Sequence, residues 1–284
     1  MLLILIILVI VIIIILSILY YFLRKYYHFI YLRNKIFPIE ISNIELNTNI
    51  EEEKNYQRIM NVLFRRPTYD EIIFLLKYKK FIDMPNVYSV CNYQKVNQMK
   101  NLLIDVINKN IKGCLVETGV WRGGMGMWMK CILKYYRDKR GIWLFDTFEY
   151  FPNPSHEKDS KINHLTNLLF EKMPSIDDVK KNFKKYNLLD ESVHFIKGEF
   201  TDTLCKVPIH DIAILRLDSD YYDSTMLVLN TYYWKISKGG YVIVDDYGNN
   251  FLACKNAVDD FRLKNNIELP IINKDGESIY WRIE

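Results

Sequence analysis

Two apolar runs of this chain end in acids. "AILRLDSD" closes on Asp218 and Asp220, and "GGYVIVDD" closes on Asp245 and Asp246. If both runs are buried strands that end side by side, the carboxylates meet, repel one another, and some take up protons. A divalent cation relieves that repulsion, and oxygen donors suit Mg²⁺, Mn²⁺ or Ca²⁺ rather than zinc. Such an ion binds a hydroxyl and makes it more acidic. A carboxylate spared from the ion then removes the proton. The competing reading is helix capping, with Asp218 or Asp220 serving the helix that starts in "YYDST" and Asp245 or Asp246 the turn after it. One cap per helix leaves two of the acids without a task.

A second group of residues has the pattern of a nucleoside site. In "VETGVWRGGMG", Glu117 ends an apolar run, and Gly119, Gly123 and Gly124 make the turn into a helix. Glycines let a ligand approach the backbone, and the helix start offers free N–H groups. The spacing is not the G-x-G-x-x-G of dinucleotide binders. An acid at the head of the turn suits a ligand with a positive end, such as S-adenosylmethionine, rather than a pyrophosphate. Trp121 stands inside the turn, where it can touch such a cofactor. In "LFDTFEYFP", Asp146 ends the next apolar run, the position from which an acid holds ribose hydroxyls; a nicotinamide cofactor would use the same device, and the competing reading is a helix N-cap or turn aspartate.

The elements that must position these residues follow an alternating pattern. Strands are predicted in "GCLVETG", "GIWLFDTF", "SVHFIKG", "DIAILRLDSD" and "GGYVIVDDYG", with helices between them and a closing hairpin around Asp275-Gly276. Ser175 and Asp178 form a predicted capping box for "SIDDVKKNFKKYNLL". This alternation implies a mainly parallel α/β sheet with helices on both faces, and ligands of such sheets bind at the carboxyl ends of the strands. Earlier helices are predicted in "TYDEIIFLLKYKKFI" and "NYQKVNQMKNLLIDVINKN".

The whole chain has 284 residues and a net charge of +4, too mild to argue for nucleic acid. Its five cysteines, Cys91, Cys114, Cys131, Cys205 and Cys254, show no CxxC spacing, so neither a disulfide framework nor a structural zinc site is expected. Residues 1–23 carry no charge, a run long enough to cross a hydrocarbon core of about 30 Å as a helix. It lacks the marks of a cleaved signal peptide. Arg24, Lys25, Arg33 and Lys35 follow it, which predicts a single-pass membrane protein with a cytoplasmic globular domain. The predicted organisation is a transmembrane anchor at 1–23, a juxtamembrane linker at 24–54, a helical lead-in at 55–110 and an α/β domain at 111–284.

The segments "LVETGVWRGGMGMWMK", "LFDTFEYFP", "GEFTDTL", "ILRLDSDYYDST", "GGYVIVDDYG", "CKNAVDDFR" and "YWRI" occur in an order that resembles the macrocin O-methyltransferase family, over roughly residues 85–284. The resemblance implies a Rossmann-like, seven-stranded methyltransferase sheet. It implies use of S-adenosylmethionine and a divalent cation, usually Mg²⁺, to methylate a sugar hydroxyl. Carried over by motif, Asp218, Asp245 and Asp246 would be metal ligands and Asp220 the general base. Glu117, Gly119 and Gly123 would line the methionine end of the cofactor, and Asp146 would hold the ribose. Thr147 and Asp218 would also contact the cofactor, Asp202 would lie near the adenine, and Ser89 would stand where the family has a Thr-Met contact. Tyr150 replaces the family's usual glycine and Val90 its methionine, both on the lid and substrate side.

The expected function is therefore O-methylation of a sugar or glycoside hydroxyl, with residues 1–23 in a membrane, no nucleic-acid partner and a homo-oligomer allowed. Two other classes stay open at this point. A membrane-anchored glycosyltransferase would use Asp-x-Asp on a metal-bound sugar nucleotide, and stabilisation by UDP-sugars would reveal it. A non-catalytic module of the same fold would bind cofactor and turn over no acceptor.

Overall fold

The computed structural model describes residues 88–89, 91–153, 156–159, 173–248, 252–273 and 276–284. Helix α1, Tyr93–Asn108, begins at Asn92, whose side chain accepts the Lys95 N–H. Strand β1, Cys114–Thr118, leads into helix α2, Gly124–Tyr135, and strand β2, Ile142–Asp146, follows. Helix α3, Ile176–Lys185, carries the predicted capping box, with the Ser175 hydroxyl accepting the Asp178 N–H and the Asp178 carboxylate accepting the Ser175 N–H. Then come strand β3, Val193–Lys197, the single turn α4, Phe200–Thr203, strand β4, Ile212–Leu217, and helix α5, Tyr222–Tyr232. Strand β5, Ile236–Val244, helix α6, Leu252–Lys264, and strands β6, Ile272–Asn273, and β7, Ile279–Arg282, complete the described chain.

The strands form one seven-stranded sheet in the order β3-β2-β1-β4-β5-β7-β6. Pairing is parallel from β3 to β5 and antiparallel at β5–β7 and β7–β6. The chain winds outward from β1 in both directions, so the carboxyl ends of β1 and β4 flank a topological switch point, where sheets of this kind bind ligands.

Alternation along the strands divides the core in two. Leu115, Leu144, Ile214 and Ile243 face a layer containing Val96, Met99 and Leu103 of α1, Trp128 and Ile132 of α2, and Phe183 of α3. Val116, Phe145, Leu215, Leu217, Val242 and Val244 face Val228, Leu229 and Tyr232 of α5 and Phe261 of α6. With both faces covered, β4 is buried along its whole length, Arg216 included.

One expectation is corrected here. The sequence predicted a single-pass membrane protein with a cytoplasmic domain, yet among the described residues no helix is long and apolar enough to cross a membrane. The longest of them, α1, has 16 residues and mixes apolar with charged side chains. The apolar run 1–23, the linker 24–54 and the helix predicted from Thr68 lie outside the described residues. The membrane location is withdrawn.

Candidate active site

Strand register places the acids. Thr118 pairs with Leu217, and Leu217 with Val244, so β1, β4 and β5 end level with one another. The ladder continues one residue further on each side, with Asp218 N–H donating to the Thr118 carbonyl at 2.8 Å and Asp245 N–H to the Leu217 carbonyl at 2.9 Å. Gly119 makes this closure sterically possible. Its φ is +87°, and a Cβ there would stand 1.7 Å from the Asp218 carbonyl oxygen.

Parity then sorts the side chains. Glu117, Arg216 and Asp245 follow the face covered by α1 and α2, in step with Leu115, Ile214 and Ile243. Arg216 Nη1 lies 2.6 Å from Glu117 Oε1, and Nη2 lies 2.9 Å from both Asp218 Oδ2 and Asp245 Oδ2. Lys95 of α1 adds a contact of 3.1 Å to Asp245 Oδ2 and donates to the Asp245 carbonyl at 3.0 Å. Burial opposes ionisation of Asp245, but the charges of Arg216 and Lys95 outweigh it and hold this carboxyl below its ordinary value.

Asp246, one residue on, turns to the other face beside Cys254; among the described residues it makes no ion pair, and the charge of Lys95 reaches it only more weakly than the repulsions. Burial, then repulsion from Asp220, pushes Asp246 well above the carboxylate range. Burial, then the charges of Asp218 and Asp245, pushes Asp220 up to about 8, while a hydrogen bond with Asp246 works the other way. Asp246 Oδ2 is buried and has no hydrogen-bond partner among the described residues. Carboxylate oxygens are the donor type that a hard divalent cation takes, but among the described residues the ligand atoms that lie within 4.8 Å of one another are those of Cys91, Asp218 and Asp245, without Asp220 or Asp246.

The capping alternative fails for β4. The Tyr222 N–H at the start of α5 donates to Asp159 Oδ1 at 2.9 Å, from the short 3-10 turn Glu157–Asp159, 63 residues earlier in the chain. Asp220 instead occupies a tight turn at φ +58°, with Tyr221 N–H donating to the Ser219 carbonyl at 2.6 Å. Aspartate tolerates this left-handed backbone better than most residues, and the turn delivers its side chain to a cleft.

That cleft runs along the strand ends and is lined by Gly119, Asp146, Thr147, Tyr150, Phe151, Glu199, Phe200, Asp218, Asp220, Tyr221 and Leu227, among others. Of the residues predicted to meet the cofactor, Gly119, Asp146, Thr147 and Asp218 are on its wall. Asp146 also clamps the glycine turn: Oδ2 accepts Val120 N–H at 2.7 Å and Trp121 N–H at 3.0 Å, and Oδ1 accepts Phe148 N–H at 2.8 Å. The Thr147 hydroxyl donates to the Tyr150 carbonyl.

Ser89, Glu117, Trp121 and Gly123 stand behind the wall. Ser89 Oγ accepts Cys91 N–H at 3.1 Å, and its Cβ packs where a side chain on Gly124 would fall. Glu117 is 1% exposed and faces Arg216, not the cleft. Trp121 lies under the Arg122 guanidinium, 4.7 Å from its ring centre. Gly123, at φ +85°, caps α2 against Val179 and Phe183. Asp202 is exposed on α4 and absent from the lining, whereas Glu199, three residues earlier, lines the cleft, with Oε1 accepting the Tyr150 hydroxyl at 2.8 Å.

Sequence reasoning missed Arg216, Lys95, Cys91, Glu199 and Asp159. Arg216 did leave a signal, as a charge inside the apolar run "AILRL" two places before Asp218 and hence on its face. Lys95, Cys91 and Asp159 come from segments with no pattern pointing to the strand ends.

Comparison with known proteins agrees with this architecture. The family model described as macrocin-O-methyltransferase (TylF) matches residues 55–283. Demethyldecarbamoylnovobiocin O-methyltransferase of Streptomyces niveus is 40% identical over 203 residues, 69% of this chain and 76% of that protein. The 8-demethyl-8-(2,3-dimethoxy-alpha-L-rhamnosyl)-tetracenomycin-C 4'-O-methyltransferase of Streptomyces olivaceus is 36% identical over 206 residues, 70% of this chain and 77% of that protein. Among solved structures, the O-methyltransferase NovP superposes with a TM-score of 0.71 at 34% identity, covering 82% of this chain and 99% of that one. By fold and by a match that spans most of its length, the chain belongs to the macrocin O-methyltransferase family, class I S-adenosylmethionine-dependent O-methyltransferases.

Proposed function

We propose that the acceptor of the methyl group is a hydroxyl of a sugar or glycoside, and that a divalent cation, Mg²⁺ in the first instance, assists the transfer. The observation that carries this reading is the acid pair at the ends of β4 and β5, of which Asp220 lines the cleft while Asp246 Oδ2 is buried without a hydrogen-bond partner among the described residues. The tetracenomycin relative, whose name places its methylation on a rhamnosyl-bearing compound, supports the acceptor class.

In this reading Asp218, Asp245 and Asp246 hold the ion. When bound, the ion would acidify a hydroxyl that it ligates, and S-adenosylmethionine supplies the methyl group. Asp220, held at the cleft by its turn, accepts the proton of the attacking hydroxyl. Gly119, Asp146, Thr147 and Asp218 contact the cofactor from the wall, and Glu199 offers its free carboxylate oxygen to the nucleoside. Ser89, Glu117, Trp121 and Gly123 act by shaping the turn behind the wall. Tyr150, Phe151, Phe200 and Leu227 give the cleft an apolar surface that excludes water and orients the reactants. The glycosyltransferase reading gives way to the family match over residues 55–283.

The test is a screen of sugars and glycosides for methyl acceptance from labelled S-adenosylmethionine, with Mg²⁺ and after chelation. The reading expects a labelled glycoside that chelation abolishes and Mg²⁺ restores. Labelling confined to phenols or amines, or labelling indifferent to chelation, would refute the acceptor or the cation respectively.

A further inference from the structure

Arg216 is fully buried, and its guanidinium joins acids of three strands. Nη1 meets Glu117 of β1, while Nη2 meets Asp218 after β4 and Asp245 after β5. The same Nη2 lies 3.3 Å from Cys91 Sγ. The donor atoms of Cys91, Asp218 and Asp245 all fall within 4.8 Å of one another, as in a metal cage. That cage already faces a cation, because Arg216 Nη2 contacts all three. An ion placed there would have to displace a buried guanidinium and leave Glu117 without its partner, at a large desolvation cost.

The consequence concerns the other oxygens. Arg216 engages Oδ2 of both Asp218 and Asp245, and Lys95 engages Oδ2 of Asp245 as well. Among the described residues, Oδ1 of each carries no hydrogen bond, and Asp246 Oδ2 is buried without a partner. We propose, building on the divalent-cation reading above, that Arg216, backed by Lys95, is a positioning residue for the cation site. It fixes Asp218 and Asp245 by one oxygen each and leaves their other oxygens, with Asp246, for the ion. The Glu117 carboxylate in turn fixes the guanidinium, which explains why the acid of the glycine turn faces inward.

The sign of one measurement separates this from simple electrostatics. A positive side chain near an ion site repels the ion, so Coulomb's law alone makes removal of Arg216 or Lys95 tighten ion binding. Positioning makes removal weaken it, because two carboxylates freed from their common clamp repel each other and lose their orientation. Mn²⁺ binding to the full chain, followed by electron paramagnetic resonance of the free ion, reads this directly, with circular dichroism reporting the fold. In folded Arg216→Met, Mn²⁺ binding is expected to weaken by about tenfold or more, the scale typical of groups that orient metal ligands. Arg216→Lys should recover part of the loss, and Lys95→Met should shift in the same direction. Unchanged or tighter binding in folded Arg216→Met overturns the proposal and leaves the cation site standing. If Arg216→Met does not fold, Lys95→Met decides by the same two outcomes. Failure of the wild-type chain to bind Mn²⁺ overturns the cation reading and this proposal together.

Discussion

Glu117 and Arg216 are register partners on neighbouring parallel strands, joined at 2.6 Å with both side chains 1% exposed. Burial pushes Glu117 up to about 8 against the opposing charge of Arg216. The pair is asymmetric, because Glu117 has one cation while Arg216 serves three carboxylates. Loss of Arg216 therefore strands more charge than loss of Glu117. Arg216→Leu is expected to lower unfolding free energy by about 3–5 kcal/mol, the range for breaking a buried pair, and Glu117→Leu by less. Urea denaturation followed by circular dichroism measures both, and the reverse order would contradict the account of the clamp.

Gly119 is the hinge on which the strand ends close. Alanine there pays for a left-handed backbone with about 1–2 kcal/mol, and its Cβ would strike the Asp218 carbonyl, 1.7 Å away. Because that carbonyl belongs to the residue at the cleft wall, Gly119→Ala should weaken cofactor binding as well as stability. Thermal melts with and without S-adenosylhomocysteine check this. A variant with wild-type melting and wild-type stabilisation by the cofactor product would show that the close approach is not needed.

Acid sensitivity has a specific contributor outside the site. Asp138 Oδ1 accepts Arg140 Nε–H at 2.9 Å, and Oδ2 accepts Nη2–H at 2.8 Å, while Nη1–H donates to the Ile111 carbonyl at 3.1 Å. Burial alone would raise this carboxyl, but the bonds from Arg140 outweigh it and hold it below its ordinary value. The folded chain thus binds this proton less readily than the unfolded chain. The stabilisation is complete above the ordinary aspartate value of about 3.9 and drains as pH falls through it. Asp138→Asn should be less stable than wild type near neutrality by about 0.5–1.5 kcal/mol, with the gap closing in acid. A gap that widens in acid would contradict the sign.

Much of this was legible because it is local. The alternation of apolar runs with helical segments gave the strands β1 to β5 their places. The Ser175–Asp178 box sits where its spacing predicted, and the closing hairpin pairs β6 with β7 across Gly276. The acids at the ends of β4 and β5 meet because register, a consequence of strand pairing, aligns Leu217 with Val244. What stayed hidden depends on contacts between distant segments. Lys95 reaches Asp245 across 150 residues, and Asp159 caps α5 across 63. Glu117 was read as a cofactor residue from its place in the turn, but parity points it at Arg216. Asp202 was read from its motif, yet the short turn α4 faces it to solvent and gives the cleft Glu199 instead. The membrane location rested on the uncharged run 1–23 and the basic residues that follow it, and the described helices gave it no support.

The central claim is that Asp220 removes the proton from a hydroxyl at this cleft. The most direct measurement compares methyl transfer to a glycoside acceptor by wild type and Asp220→Asn, with S-adenosylmethionine affinity determined by calorimetry on the same samples. The account predicts a loss of turnover of about 10²-fold or more, the scale of a general base, with cofactor affinity near wild type. Turnover retained at the wild-type rate would contradict it.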